Sequence, residues 1–349
     1  MQPYVSIDGI KIGSQYPPYI IAELSANHNG DIQRAFKILD MAKACGVNAL
    51  KIQTYTADTI TIDCDRHEFM INDGLWKGRT LYDLYTQAHM PWEWHAALFA
   101  RAKQLGLTIF SSPFDFSAVD FLEKLGAPAY KIASFEAIDL PLIRYVAKTG
   151  KPLIISTGMA NKQEIQEAVD AAREAGCKEL VLLHCVSAYP TPAQDQHLKT
   201  LSDMSRRYDA LVGLSDHSVD NITAIMSVAL GACIIEKHVT LDRRAGGPDD
   251  SFSLQEEELR ALCQDTKVAW HALGKVNYAC KDSEKNNKIF RRSLYVVKDI
   301  AQGALFTEEN VKSIRPGYGI SPKYLPNVLG KTAKLKLEKG TAFSMDFIV

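Results

Sequence analysis

Short, continuously apolar runs alternate with helix-period segments from Tyr19 onward. The runs are YIIAEL (19–24), ALKIQTY (49–55), LTIFSS (107–112), YKIAS (130–134), LIIST (153–157), LVLLHC (180–185), LVGLS (211–215) and CIIEKH (233–238). Amphipathic segments lie near 31–45, 92–105, 117–125, 139–149, 161–175, 197–207 and 219–230, and a last one spans 254–273. Unbroken apolar runs, rather than strict alternation, predict strands buried on both faces. Repeated strand–helix units demand parallel strands, and eight of them over about 250 residues predict a (β/α)8 TIM barrel.

Polar residues gather at the C-terminal ends of these runs. They include Glu23, Lys51, Gln53, Ser112, Lys131, Ser134, Ser156, Thr157, His184, Ser215, Asp216, His217, Glu236 and His238. The active site of such a barrel lies at that end. The long connection after the second run, about 55–91, contains GLWKGRTLYDLY and reads as a local element or lid. Residues 274–290 are polar and charged and read as a linker, which leaves a barrel over 1–273. Residues 291–349 have short β-like runs (SLYVV, KLKL) and many Gly and Pro, the texture of a small module that needs support to stay folded.

Composition narrows the class. With 46% apolar and 23% charged residues, the chain of 349 is an ordinary globular protein. Net charge is −1, but residues 291–349 hold ten Lys and Arg against five Asp and Glu. That module is therefore +5 and residues 1–290 are −6. The basic residues are scattered, so no nucleic-acid partner is expected. No uncharged stretch approaches the roughly 20 apolar residues of a membrane span, and MQPYVSIDGIKIG lacks a secretory pattern. Seven cysteines without a CxxC read as reduced thiols in a cytoplasmic protein.

Candidate chemistry follows from the strand ends. His217 and His238 end neighbouring strands, and a pair of imidazoles there suits Mn, Fe, Co or Zn. His28 and His184 are weaker candidates, each readable as a hydrogen-bonded structural residue. Lys51 and Lys131 sit in apolar strands, where lysine is rare unless paired. Two ammoniums over one mouth repel unless an anion joins them. With Ser112, Ser134, Ser156, Ser215, Thr157 and Gly158 as donors, they suggest a phosphate or carboxylate site. A salt bridge to Glu23 or Glu136 is the structural alternative, and a Schiff-base lysine a chemical one. Glu23, Glu136, Asp216 and Asp249 are the carboxylates placed for proton transfer.

Taken together, IAELSANHNG, KIQTYT, FSSPFD, YKIASFE, STGMA, YPTP, GLSDHS and EKHVTLDRRAGGPD resemble the signature segments of the sialic acid synthase family. RRSLYVVKDIAQGALFTEENV, IRPGYGI and LGK resemble that family's antifreeze-like (SAF) domain over 291–349. ELSANH, IASFE, the GLW…LYDLY segment with PWEWH, and RRSLY resemble the branch that makes pseudaminic acid more than the one that makes N-acetylneuraminic acid.

The resemblance implies condensation of phosphoenolpyruvate with an N-acetylated sugar, here 2,4-diacetamido-2,4,6-trideoxy-L-altrose. It implies a divalent metal, Mn2+ first with Mg2+ or Co2+ as alternatives, held by His217 and His238. Lys51, Lys131, Ser112, Ser134, Ser156 and Ser215 would bind phosphoenolpyruvate, with Gln53 and Tyr189 nearby. Glu136 would lie by the reacting carbon, Glu23 near the metal, and Asp249 and Arg315 at the sugar. A domain-swapped homodimer would bring Arg315 in from the partner. Ser187 stands where the neuraminic branch often has Asn, so no sugar contact is assigned to it. Phe135 or Trp76 would tolerate the methyl of a 6-deoxy sugar. Neuraminic or legionaminic acid synthesis, a Schiff-base aldolase using Lys131, and a non-catalytic carbohydrate-binding protein are the alternative readings.

Overall fold

The computed structural model describes residues 4–349, which divide into two compact units, 4–274 and Lys275–Val349. The first unit opens with an antiparallel hairpin, β1 (Val5–Ile7) and β2 (Ile10–Ile12). The predicted pattern begins at Tyr19 and passes over this hairpin. Its signal is nevertheless present: Asp8 and Gly9 both take positive φ, the two-residue Asp-Gly turn between alternating apolar positions.

Eight parallel strands follow and close into a barrel. They are β3 (Tyr19–Glu23), β4 (Ala49–Thr54), β5 (Thr108–Pro113), β6 (Tyr130–Ile132), β7 (Leu153–Ser156), β8 (Leu180–Cys185), β9 (Leu211–Asp216) and β10 (Ala232–His238). Closure comes from β10 pairing with β3, in a register that sets His238 opposite Glu23. The helices between strands are Ile32–Cys45, Trp92–Leu105, Phe116–Leu125, Leu140–Ala147, Lys162–Glu174, Thr200–Tyr208 and Ile222–Ala229, with Glu256–Leu273 after β10. Local chemistry sets their ends. Asp31 caps the Gln33 amide, and Gly46 turns the chain out of the same helix at φ 89°.

The hairpin closes the N-terminal end of the barrel. Val5, Ile7 and Ile12 are buried with Tyr19, Ile21, Phe110 and Leu183. Each such burial contributes roughly 1.5–3 kcal/mol. Gly213 in β9 permits the close approach of β10: an added Cβ would lie 2.5 Å from the Ile234 carbonyl oxygen. One end of the barrel is thus filled, and the other carries the polar side chains.

Two departures from the sequence pattern bear on the site. β6 stops at Ile132, and Ser134–Glu136 form a single 3-10 turn instead of extending the strand. The long connection after β4 carries two short helices, Ala57–Ile60 and Leu81–Ala88.

In the second unit, β11 (Ser293–Val296) and β12 (Val311–Ile314) pair antiparallel. A separate core of Leu294, Val296, Ile300, Phe306, Val311, Val328, Leu337 and Phe343 holds it together. The KLKL run is not a strand; it contributes one antiparallel bridge, Leu337 to Ile300. All seven cysteines are free thiols.

Candidate active site

A cavity of about 470 Å³ opens at the C-terminal ends of the barrel strands. Alternation along a strand selects what enters it. Lys51 with Gln53, Ser215 with His217, and Glu236 with His238 share the inward face of their chain segments and line the cavity. Asp216 and Lys237 therefore point away. They pair at 2.9 Å, both buried, so Asp216 is a structural residue and not a proton-transfer group of the site.

Lys131, Ser134, Phe135, Glu136, Ser156, Tyr189 and Asp249 also line the cavity. Glu23 and Ser112 do not; both are buried behind Lys51. Lys51 Nζ is 2.7 Å from Glu23 Oε2 and donates to Ser112 Oγ at 3.1 Å. Gln53 donates to Glu23 Oε1 at 3.0 Å and to Ser25 Oγ at 3.0 Å. Glu23, expected near a metal, is thus engaged by a lysine and an amide, although its strand position is opposite His238.

The lysine pair is joined by a protein carboxylate. Glu236 Oε1 lies 3.0 Å from Lys131 Nζ and 3.5 Å from Lys51 Nζ. Burial opposes ionisation of Glu236, but Lys131 and Lys51 outweigh it and hold its carboxyl below the ordinary value. Burial lowers Lys51 too, yet Glu23 and Glu236 reverse the effect and raise it. Lys131 shares one carboxylate with another cation, and there burial prevails and lowers it. Glu236 was visible in the sequence as a polar strand-end residue; its role as the bridge depends on strand register, which no local pattern contains.

His217 and His238 have ring centroids 5.4 Å apart. The His217 Nδ1–H donates to the Val186 carbonyl at 3.0 Å, which leaves Nε2 as the ring nitrogen turned to other partners. His238 Nδ1 is buried without a hydrogen-bond partner. Burial, with His217 and the lysines nearby, lowers His238 well below its ordinary value, so this imidazole is neutral. Burial lowers His217 as well, but the Cys185 thiol outweighs it and raises the imidazole above its ordinary value. His217 would therefore give up a proton on binding a divalent metal, whereas His238 is already neutral; the pair fits such a metal. Among the described residues no group of three His, Cys, Asp or Glu forms a preformed cage, so other positions would fall to water and substrate.

Tyr189 packs on His217 at 4.4 Å and against Trp76 at 5.8 Å. Asp249 accepts from Ser25 Oγ at 2.5 Å and faces His238 Nδ1 at 3.8 Å. Burial raises Asp249 and pushes Glu136 up to about 7, and Glu136 Oε2 has no hydrogen-bond partner. Glu136 is thus the carboxyl poised for exchange near neutral pH.

Besides Glu23, Ser112 and Asp216, further expected residues lie outside the cavity lining. His28 accepts from the Gly30 amide and packs on Trp94, and His184 contacts the Gln196 carbonyl at 2.6 Å. Both are buried core histidines outside the cavity, although His28 Nε2 has no hydrogen-bond partner. Thr157 donates to the Leu183 carbonyl, which commits its hydroxyl to the barrel wall. Arg315 belongs to the second unit and is exposed there. Ser134 accepts from the Gly158 amide at 3.1 Å, so that amide is committed to Ser134 and Gly158 stays outside the cavity lining. Phe135 is 60% exposed and offers little enclosure for a methyl group.

Residues 38–278 match the NeuB family and residues 291–349 the SAF domain. The chain belongs to the NeuB family. Among its relatives is the pseudaminic acid synthase of Campylobacter jejuni subsp. jejuni serotype O:23/36 (strain 81-176), 44% identical over 93% of this chain and 94% of the relative. The pseudaminic acid synthase of Helicobacter pylori (strain ATCC 700392 / 26695) is 41% identical over 95% of this chain and 98% of its own. A solved structure, the N-acetylneuraminic acid (sialic acid) synthetase of Leptospira borgpetersenii serovar Hardjo-bovis in complex with citrate, superposes with a TM-score of 0.73. It is 30% identical and covers 81% of this chain and 94% of its own. The barrel and SAF expectations are borne out by these matches and by the closed eight-stranded sheet. No helix among the described residues is long and apolar enough to cross a membrane.

Proposed function

We propose that this NeuB-family chain is a pseudaminic acid synthase. It condenses phosphoenolpyruvate with 2,4-diacetamido-2,4,6-trideoxy-L-altrose and water, giving a nine-carbon 2-keto acid and phosphate. The observation that carries the reading is one cavity holding two buried lysines, two imidazoles and a carboxyl near pKa 7. Identity of 44% to a pseudaminic acid synthase selects the branch.

Lys51 and Lys131 receive the phosphate and carboxylate of phosphoenolpyruvate, with Ser134, Ser156 and Ser215 as hydroxyl donors. Ser112 and Glu23 act through Lys51, which they hold in place. Glu236 keeps the two cations together until the substrate anion adds to the network. His217 and His238 would hold a divalent metal, Mn2+ or alternatively Mg2+ or Co2+, which when bound would supply Lewis-acid polarisation of the aldehyde oxygen. Carbon 3 of phosphoenolpyruvate bonds to the aldehyde carbon, and water adds at carbon 2. The C–O bond to phosphate then breaks. Glu136 takes one proton from the water and returns it to the leaving phosphate, while the water's second proton, released as the ketone forms, goes to the former aldehyde oxygen, which becomes the new hydroxyl. Asp249 orients the sugar, with Arg315 supplied by the partner of a domain-swapped homodimer. Seven free thiols suit the reducing cytoplasm.

Phosphate release tests the reading. Metal-depleted protein is offered phosphoenolpyruvate with the trideoxy sugar or with N-acetylmannosamine, before and after adding Mn2+. Release is expected with the trideoxy sugar and only after Mn2+. Release with N-acetylmannosamine alone would reassign the chain to the neuraminic reading.

A further inference from the structure

The cavity is divided by chemistry. Its floor, from the strand ends, is charged. One wall comes from the single connection that follows β4, and the side chains this connection contributes there include Ile60, Ile71, Trp76, Leu81, Leu84 and Tyr85. Ile60, Ile71 and Leu81 are only partly buried, so their unburied surface is available to a ligand. The same connection puts no Asp, Glu, Lys or Arg into the cavity. The wall is also held in place. Trp76 Nε1 donates to the Pro248 carbonyl at 3.0 Å, which ties the connection to the loop carrying Asp249. Tyr85 packs edge-on to Tyr55 at 5.8 Å.

Phosphoenolpyruvate has two anionic groups and no methyl, so it belongs to the floor. A hydroxyl-rich sugar would strand its polar groups against this wall. A sugar bearing two acetamido methyls and a C6 methyl would instead exchange apolar surface for apolar surface. We infer that the apolar wall of Ile60, Ile71, Leu81 and Leu84, rather than Phe135, is the specificity subsite that receives the methyl groups of the diacetamido sugar. The inference rests on the proposed sugar substrate and adds which residues select it.

The test removes methyl groups from either side. Wild type, Ile71→Ser and Leu81→Gln are assayed with the diacetamido sugar and with its diformamido analogue, which lacks both acetamido methyls. In wild type the analogue loses about tenfold in kcat/KM. In at least one folded variant the loss shrinks below about threefold, because the wall no longer distinguishes methyl from hydrogen. The KM for phosphoenolpyruvate stays unchanged, since the floor is intact. Both variants folding and keeping the full wild-type ratio would overturn the assignment, and so would a wild type indifferent to the methyls. Should neither variant fold, Ile60→Val, a loss of one methylene, is read the same way. Wild type that releases no phosphate with the diacetamido sugar, yet does so with another, would sink the parent reading and the subsite with it.

Discussion

Glu136 shows what one residue's surroundings add to its sequence. The sequence puts a carboxylate just after the fourth barrel strand, a place where barrels keep catalytic groups. It does not reveal that the strand ends early and that a 3-10 turn carries the side chain into a partly buried position with Oε2 unpartnered. Burial moves its carboxyl from 4.5 to about 7, which corresponds to about 3 kcal/mol. Between these values the folded protein binds more protons than the unfolded chain. Stability contributed by this group is therefore present below pH 4.5 and lost as pH rises through about 7. Glu136→Gln removes that dependence. The variant is expected to melt several degrees above wild type at pH 8 and close to it at pH 4.5. Phosphate release should fall by about 10²–10⁴ because the exchangeable proton is gone. Melting curves at both pH values, with single-turnover rates, check the two halves separately. An unchanged rate would remove Glu136 from proton transfer.

At the scale of elements, the strands were legible because a strand buried on both faces has no polar interruption until its end. β3, β4, β5, β8, β9 and β10 fall within a residue or two of their apolar runs. The site was legible in part for the same reason: residues at the ends of barrel strands must converge. Pairing partners were not legible, since they follow from register. Lys51, Lys131 and Glu236 meet because β4, β6 and β10 bring inward positions to one level, and the sequence reading had offered Glu23 or Glu136 as the partner. Glu23 is indeed one, but Lys131 turns to Glu236. Glu236→Gln leaves Lys131 without its carboxylate, and an uncompensated buried charge costs about 3–5 kcal/mol. The variant should lose that much in a urea melt. Inorganic phosphate should restore part of it, because an anion between the lysines replaces the missing carboxylate. Loss of stability with no phosphate rescue would mean that the lysines do not receive the anion.

The whole molecule raises a question of assembly, because charge and chemistry are divided between its parts. Residues 1–290 carry −6 and residues 291–349, the SAF domain, carry +5. Every residue lining the cavity belongs to the barrel unit, whereas the proposed sugar contact Arg315 is in the other. A domain-swapped homodimer would complete each site with Arg315 of the opposite chain. Glu136→Gln and Arg315→Ala proteins, each nearly inactive alone, distinguish the arrangements when mixed under conditions that exchange subunits. With swapping, every heterodimer contains one site carrying both substitutions and one carrying neither. Half the dimers are then heterodimers with half their sites intact, so activity should recover to about a quarter of wild type. If each chain completes its own site, every site carries one lesion and mixing restores nothing. Size-exclusion chromatography on the same mixture separates that result from failed exchange: a monomer that elutes alone excludes the swap, and a dimer with labelled chains exchanged but no activity assigns Arg315 to its own barrel.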